Sequence, residues 1–506
     1  MSAPLRHVPA NAIVTGFDFS TGSVKGLAFN TSGDTLAEVR LPTDLWTEGG
    51  VSELNLMQLE GQVRAAMRMM AARLRDLGRL TDWHVIGISA THHTSGRIDA
   101  DNVQVRRAIC WNDQTLATYH ADGLKRLGGQ ERARALTGGP WAIRYSLSHL
   151  IKDEAALPLA DWQRTRWIIQ HGSFVAGVLT GRYDAVSVSA AASTGLMDLR
   201  TCQWSDQMLM AISDAKLRTL AGAQLPRIID QNEPVGPLCD KLAPEPGVRP
   251  LVMPTSDDQQ AGLAGGGAVD AGQIAVILGN SAVVNASSAT LPAATSTLDA
   301  MRLNWGPYLW MRCYNNGAQF LDRIVGPNPD WPALEAAARQ VPAGSNGVCV
   351  LPFVLAEPSR NVNSPRLEWT SEPADIGVKF RASLEALAYL IALGVREHEA
   401  AGQAASRVSV SGGIAKSDLM CEILASVLNK PLHRLVSSEG PALGAAAAAL
   451  AGAESYGRTQ AGDREAYAVA DAVHQMVRFR DAVEPRGEWR AAYEAGLREF
   501  ERKLAR

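Results

Sequence analysis

Asp18 stands inside an otherwise largely apolar run, Ile13–Phe19, which Ser20, Thr21, Gly22 and Ser23 follow at once; apolar residues resume at Val24, Leu27 and Phe29. A carboxylate beside a hydroxyl-rich turn can hold a hydrated Mg²⁺, which keeps much of its water and needs few protein ligands. It can equally bond the turn's own backbone. A second turn of the same kind, Gly279, Asn280 and Ser281, interrupts the run IAVILGNSAVVNAS. Tight Gly/Ser turns aim several N–H groups at one point and so suit a phosphate. One in each half of the chain implies a cleft that grips nucleotide phosphates from both sides. Asp257 and Asp258 stand just ahead of a run of small and apolar residues, Ala261–Gly267, that reads as a helix. A carboxylate there either caps the helix or takes the proton from a hydroxyl under phosphoryl transfer. His93, Trp111 and Asp113 supply the donor, acceptor and aromatic face that a polyhydroxylated ligand needs. Gly412 and Gly413 follow the strand-like VSVS, where the lack of a Cβ lets a flat ring or ribose lie against backbone.

These residues need a scaffold of strands and helices to bring them together. From Ile13 to about Leu199, strand-like runs (IVTGFDF, VKGLAF, HVIGISA, RAICWND) alternate with helical ones such as LNLMQLEGQVRAAMRMMAARLRDL. That alternation predicts α/β layers. The stretch Pro226–Pro254, rich in prolines and charges, reads as a connection. A second series begins with QIAVILGNSAVVNAS and continues into long helical periods, FRASLEALAYLIALGVREHEAAG and EWRAAYEAGLREFERKLAR. We therefore expect two similar α/β domains, 1–250 and 251–506, with the site in the cleft between them. A chain of 506 residues is long enough for both. Net charge is -3, so there is no electrostatic case for nucleic acid or an anionic membrane. The six cysteines are dispersed without a Cys-x-x-Cys pair, which fits a reducing cytosol and neither a zinc site nor a disulfide framework. The most apolar stretch, PALGAAAAALAGA, is too short and Ala-rich to span a bilayer, and the start of the chain lacks the order of a signal peptide. A soluble cytoplasmic protein is expected.

GFDFSTGSVKG resembles the first phosphate-binding segment of the FGGY family of carbohydrate kinases, within the actin/Hsp70/sugar-kinase superfamily of ribonuclease-H-like folds. Further segments are similar to the family in its own order: SATHHTSGRIDADNVQVRRAICWNDQT, VLTGRYDAVSVSAAASTGLMDLRTCQWSD, TSDDQQAGLAGGG, VSVSGGIAKSDLMCEILASVLNKPLHRL and EGPALGAAAAAL. The resemblance implies Asp258 as catalytic base and sugar contact, with Asp257 a capping residue where Gly is common. It also implies Asp18 on the metal, and Ser20, Thr21, Gly22, Gly279, Asn280, Ser281, Gly412 and Gly413 on ATP. ATP and Mg²⁺ are the implied cofactors and a small sugar or polyol the implied partner; a homodimer is left open. His93 aligns with the His of the Gln-Met-His-Gly motif of xylulose kinases, the nearest in pattern, which favours a ketopentose such as D-xylulose. The Arg-Glu pair of glycerol kinases is missing. Thr91, His92 and Thr94 depart from the xylulose kinase pattern, and Asn280 stands where Thr is usual. The alternatives are a kinase of another three- to seven-carbon polyol or ketose and a non-metabolic ATPase of the superfamily. A dinucleotide oxidoreductase, suggested only by LAGGGAVDAG, lacks the G-x-G-x-x-G spacing.

Overall fold

The computed structural model of the protein describes residues 3–437 and 439–506. Two mixed sheets, each of seven strands, carry the two halves of the chain. In the first, β1 (Ile13–Phe19), β2 (Ser23–Asn30) and β3 (Thr35–Pro42) form an antiparallel meander. β4 (Trp83–Ala90) then lies parallel beside β1 on its other side. β5 (Leu251–Val252) and β6 (Ser256–Asp257) pair in parallel with successive parts of β4. The second sheet repeats the plan with β7 (Gln273–Leu278), β8 (Ala282–Ser288) and β9 (Tyr308–Tyr314) as the meander. β10 (Arg407–Ser411) lies parallel to β7, and β11 (Leu432–Leu435) parallel to β10. The order 3-2-1-4-5 thus occurs twice, as two similar α/β domains require.

The segment Pro226–Pro254 corrects one expectation. It is no simple connection, because Gly236–Pro237 and β5 pair at the edge of the first sheet, and β6 follows on the same side. The expected boundary at 250 therefore falls before the last strands of the first sheet. Proline suits an edge strand, where its missing N–H breaks no ladder, so composition alone reads such a strand as a linker.

Two helices join the halves. α1 (Leu56–Asp76) covers the first sheet, its start capped by the Asn55 side chain on Met57 N and Gln58 N. α2 (Asp258–Gly265) and α3 (Gly440–Gln460) meet each other, and α3 also lies across β1 and β4. The apolar side chains Leu443, Ala446 and Leu450 pack there with Val14, Phe29 and Val85. The approach is close: a Cβ on Gly16 would sit 1.8 Å from Ala442 O, and one on Gly444 1.9 Å from Ala261 O. The Ala-rich run is thus an interdomain helix, and no described helix is long and apolar enough to cross a membrane.

Candidate active site

The C-terminal ends of β1, β4 and β6 lie side by side, with Asp18 opposite Ser89 and Asp257 opposite Ala90. Two strand spacings therefore separate Asp18 from Asp257, on the order of 10 Å. Ligands of α/β sheets bind at such strand ends. Asp18 is buried and accepts a hydrogen bond from Ser89 Oγ at 2.7 Å. Burial pushes its carboxyl up to about 6, against the pull of Ser89 and of the more distant Lys25 charge. Lys25 itself is committed elsewhere: its Nζ lies 2.8 Å from Glu439 Oε2, ahead of α3, and ties the two halves together.

Asp257 and Asp258 play different parts. Asp257 Oδ1 accepts from Gln259 N and Gln260 N, both at 2.9 Å, so it caps α2. Its Oδ2 accepts from Ser189 Oγ, and its N–H donates back to Ser189 Oγ at 3.0 Å. Asn304 and Gln260 extend this lattice: Ser189 N donates to Asn304 Oδ1 at 2.8 Å, and Asn304 N to Gln260 Oε1 at 2.7 Å. Asp258, the first residue of the helix, is half-buried, and its Oδ1 is enclosed without a hydrogen-bond partner. Burial, then the charges of Asp257 and Asp18, hold its carboxyl well above the usual range.

Beyond β4 the chain turns sharply. His93 adopts φ 54°, a left-handed conformation uncommon for a residue with a Cβ, and its Nδ1 pairs with Ser193 O at 2.7 Å. Three rings stack here: His92 on His93 with centroids 3.9 Å apart, and His93 on Tyr145 at 4.3 Å. His93 Nε2 and Tyr145 Oη are buried and unpartnered. His92 is 4 % exposed, its two ring nitrogens also lack partners, and Nε2 lies 3.7 Å from Asp257 Oδ2. Burial lowers the proton affinity of both imidazoles.

Asp113 stands apart from this group. Its side chain is fully enclosed and caps the 3₁₀ turn Gln114–Leu116 through Thr115 N at 2.8 Å. The other oxygen accepts from Ser52 N at 3.1 Å and faces Lys152 Nζ at 3.5 Å. Trp111, next to it, is half-buried.

The two Gly/Ser turns are both present. Ser20 Oγ accepts from Gly22 N and Ser23 N and donates to Ser23 O, so that hydroxyl closes the turn, while Gly22 is exposed at its tip. In the second half, Gly279 and Asn280 lie on the wall of a cavity of about 840 Å³. Trp331, Phe380, Leu321, Gly413 and Ile414 line it as well. It is large enough for an adenosine, and its lining is mainly apolar. Gly413 is open around its missing Cβ. Gly412 answers to the backbone instead, with φ 98° and a would-be Cβ 2.3 Å from Leu278 O. Tyr145, Ser189, Asn304, Trp331 and Phe380 are components that motif reading missed; only Trp331-Pro332, a helix-start signal, marks one of them locally.

The N-terminal domain of the FGGY family of carbohydrate kinases matches residues 13–265, and the C-terminal domain of that family matches residues 277–453. The xylulose kinase of Escherichia coli (strain K12) is 28% identical over 459 residues, 85% of this chain and 88% of that protein. A glycerol kinase of Rhizorhabdus wittichii is 27% identical over 471 residues, 86% of this chain and 87% of that one. Among solved structures, the xylulose kinase from Rhodospirillum rubrum superposes with a TM-score of 0.82 at 22% identity, covering 97% of this chain and 98% of that one.

Proposed function

The chain belongs to the FGGY family of carbohydrate kinases, and from that premise we propose that it phosphorylates a ketopentose such as D-xylulose in the cytoplasm, with MgATP as donor and Asp258 as general base. The observation that carries this reading is a set of three buried, unpartnered polar atoms just beyond the ends of β4 and β6: Asp258 Oδ1, His93 Nε2 and, stacked on His93, Tyr145 Oη. Each costs about 1–3 kcal/mol if it stays unmet, and a polyhydroxylated acceptor would meet all three. His93, held by Ser193 O in its left-handed turn, orients the sugar. Trp111 and Asp113 remain the aromatic and polar groups we assign to the sugar, with Asp113 also capping the turn Gln114–Leu116. Relatives of comparable identity include both xylulose and glycerol kinases. His93, with no Arg-Glu pair in this region, favours the ketose, although Thr91, His92 and Thr94 beside it depart from the xylulose kinase pattern.

A hydroxyl is a poor nucleophile at neutral pH until it is aligned and can pass on its proton. Asp258 sits on the first turn of α2, which Asp257, Ser189 and Asn304 hold rigid. Its raised proton affinity suits it to accept that proton as the bond to phosphorus forms. Asp18 fits a hydrated divalent cation: it is buried, and no Lys or Arg nitrogen among the described residues lies within 4.0 Å of its carboxylate. Mg²⁺ bound there with ATP would neutralise charge on the phosphate oxygens. Thr21 and Gly22 from one half, with Gly279, Asn280 and Ser281 from the other, would offer their N–H and hydroxyl groups to those phosphates. Gly413 leaves room for the adenosine in the apolar cavity. We place the division between the domains after Asp257 and before Gln273, at the change of sheet.

A coupled ADP-release assay over three- to seven-carbon ketoses and polyols tests the proposal. D-xylulose should give the highest kcat/KM. Preference for glycerol would overturn the substrate, and ATP hydrolysis without phosphorylation of any panel member would overturn the kinase mechanism.

A further inference from the structure

Asp257 ends β6 and Asp258 begins α2, and among the described residues no Lys or Arg nitrogen comes within 4.0 Å of either carboxylate. Two basic chains of the region are paired elsewhere: Lys25, whose charge bears on Asp18, with Glu439, and Arg144, whose charge bears on His92, with Asp299. His92 is a nitrogen base that faces the pair, its Nε2 3.7 Å from Asp257 Oδ2. One ligand atom each from His92, Asp257 and Asp258 lies within 4.8 Å of the other two. His92 is nine-tenths buried or more, and neither ring nitrogen has a hydrogen-bond partner. Buried carboxylates without cationic partners are costly and are met in proteins by protonation or by a metal.

We propose that His92, Asp257 and Asp258 form a binding site for a divalent transition-metal ion of the Zn²⁺ class, distinct from the magnesium site at Asp18, and that its occupation inhibits the kinase. The donor set decides the class. One imidazole with two carboxylates suits Zn²⁺ and its neighbours, whereas Mg²⁺ prefers oxygen alone. Three protein ligands leave one position of a tetrahedral ion open. The 3.7 Å between His92 Nε2 and Asp257 Oδ2 is close to the roughly 3.3 Å that bonds of about 2.0–2.1 Å require across a tetrahedral ion. Asp257 is already anchored by the α2 amides and Ser189, which orients its remaining lone pairs. A metal on Asp258 occupies the lone pair that would take the acceptor's proton and fills space beside His93, so inhibition should be competitive with the sugar and not with ATP. That kinetic part rests on the reading of Asp258 as base; the binding part does not.

The test therefore begins with binding. Full-length protein, stripped with a chelator, is titrated with Co²⁺ and followed by visible absorption, and with Zn²⁺ by calorimetry. One equivalent should bind, with the absorption of a four- or five-coordinate Co²⁺ site. His92→Gln should weaken binding at least about tenfold, whereas His474→Ala, at an exposed His–Asp pair, should leave it unchanged. Zn²⁺ should raise Tm in the wild type but not in His92→Gln, whose own Tm and far-UV spectrum report whether it folds. No stoichiometric binding, or binding unchanged by His92→Gln, overturns the site. Zn²⁺ inhibition competitive with ATP overturns the inhibitory role. If Asp258→Asn keeps its turnover, the base assignment fails while the binding result stands on its own.

Discussion

β4 runs out into Thr91, His92 and His93, whereas its counterpart β10 runs out into Gly412 and Gly413. Each strand lies parallel beside the first strand of its own sheet, so the two peptides arrive at equivalent places. One carries stacked rings with unpartnered nitrogens; the other carries no side chains and opens onto an apolar cavity. The first strands differ in the same way, for β1 carries the buried acid Asp18 one residue before its end and β7 ends at Leu278. The backbone plan repeats, and a handful of side chains at the strand ends makes the two halves chemically different. The acid-rich half suits the acceptor and the metal, and the apolar half suits the base of the nucleotide.

The sharpest way to break this division is at Asp258. Asp258→Asn keeps shape and removes the proton acceptor, so kcat should fall by roughly 10²–10⁴ with little change in the binding of either ligand. Asp257→Ala, by contrast, should cost about 1–2 kcal/mol in unfolding free energy through the lost cap, with a far smaller loss of turnover. Turnover abolished in Asp257→Ala but near normal in Asp258→Asn would reverse the two roles.

Next in size is the seam between the halves. Gly444→Ala drives a methyl group into the Ala261 carbonyl, and the shift it forces should destabilise the protein by about 2–4 kcal/mol in denaturant unfolding. A neutral result would show that α2 and α3 slide more freely than their contact implies.

The two ligand regions should then separate cleanly. Trp331→Ala, on the nucleotide cavity, should raise KM for ATP about tenfold and leave the sugar KM alone. His93→Ala should do the opposite, by about the same factor. A variant that moved both constants equally would blur the comparison.

The smallest effect concerns pH. Asp18 has a carboxyl near 6 in the folded chain against 3.8 as a free side chain, so the folded protein takes up a proton as pH falls through that window. Its contribution to stability is therefore least favourable above pH 6 and is relieved on acidification. Asp18→Asn, uncharged throughout, should be more stable than wild type near pH 7 by roughly 1–2 kcal/mol, with the difference shrinking as pH falls below 6 and gone only below about pH 3.8, while its activity falls. Paired thermal melts and rate profiles would check both signs.

Local pattern decided a good deal about this protein. The alternating and 3.6-residue periods placed β1, β2, β7, β8, α1 and the long helix Ile376–Ala400, because side-chain direction follows spacing along the chain. The ordered segments resembling the FGGY family drew attention to Asp258, His93 and the two Gly/Ser turns, whose roles are proposals. Tertiary structure alone decided the rest. Asp113 looks like a sugar contact in sequence, yet a turn of its own and Ser52 enclose it. Pro226–Pro254 looks like a linker, yet pairing at a sheet edge holds it. Tyr145 joins the ring stack, and Trp331 with Phe380 lines the cavity, without any motif to announce them. The meeting of His92 with Asp257 depends on the register of β6 along β4, a relation between strands far apart in the chain. Spacing within one segment sets only which way its side chains point; which of them touch is settled by the register and packing of whole sheets.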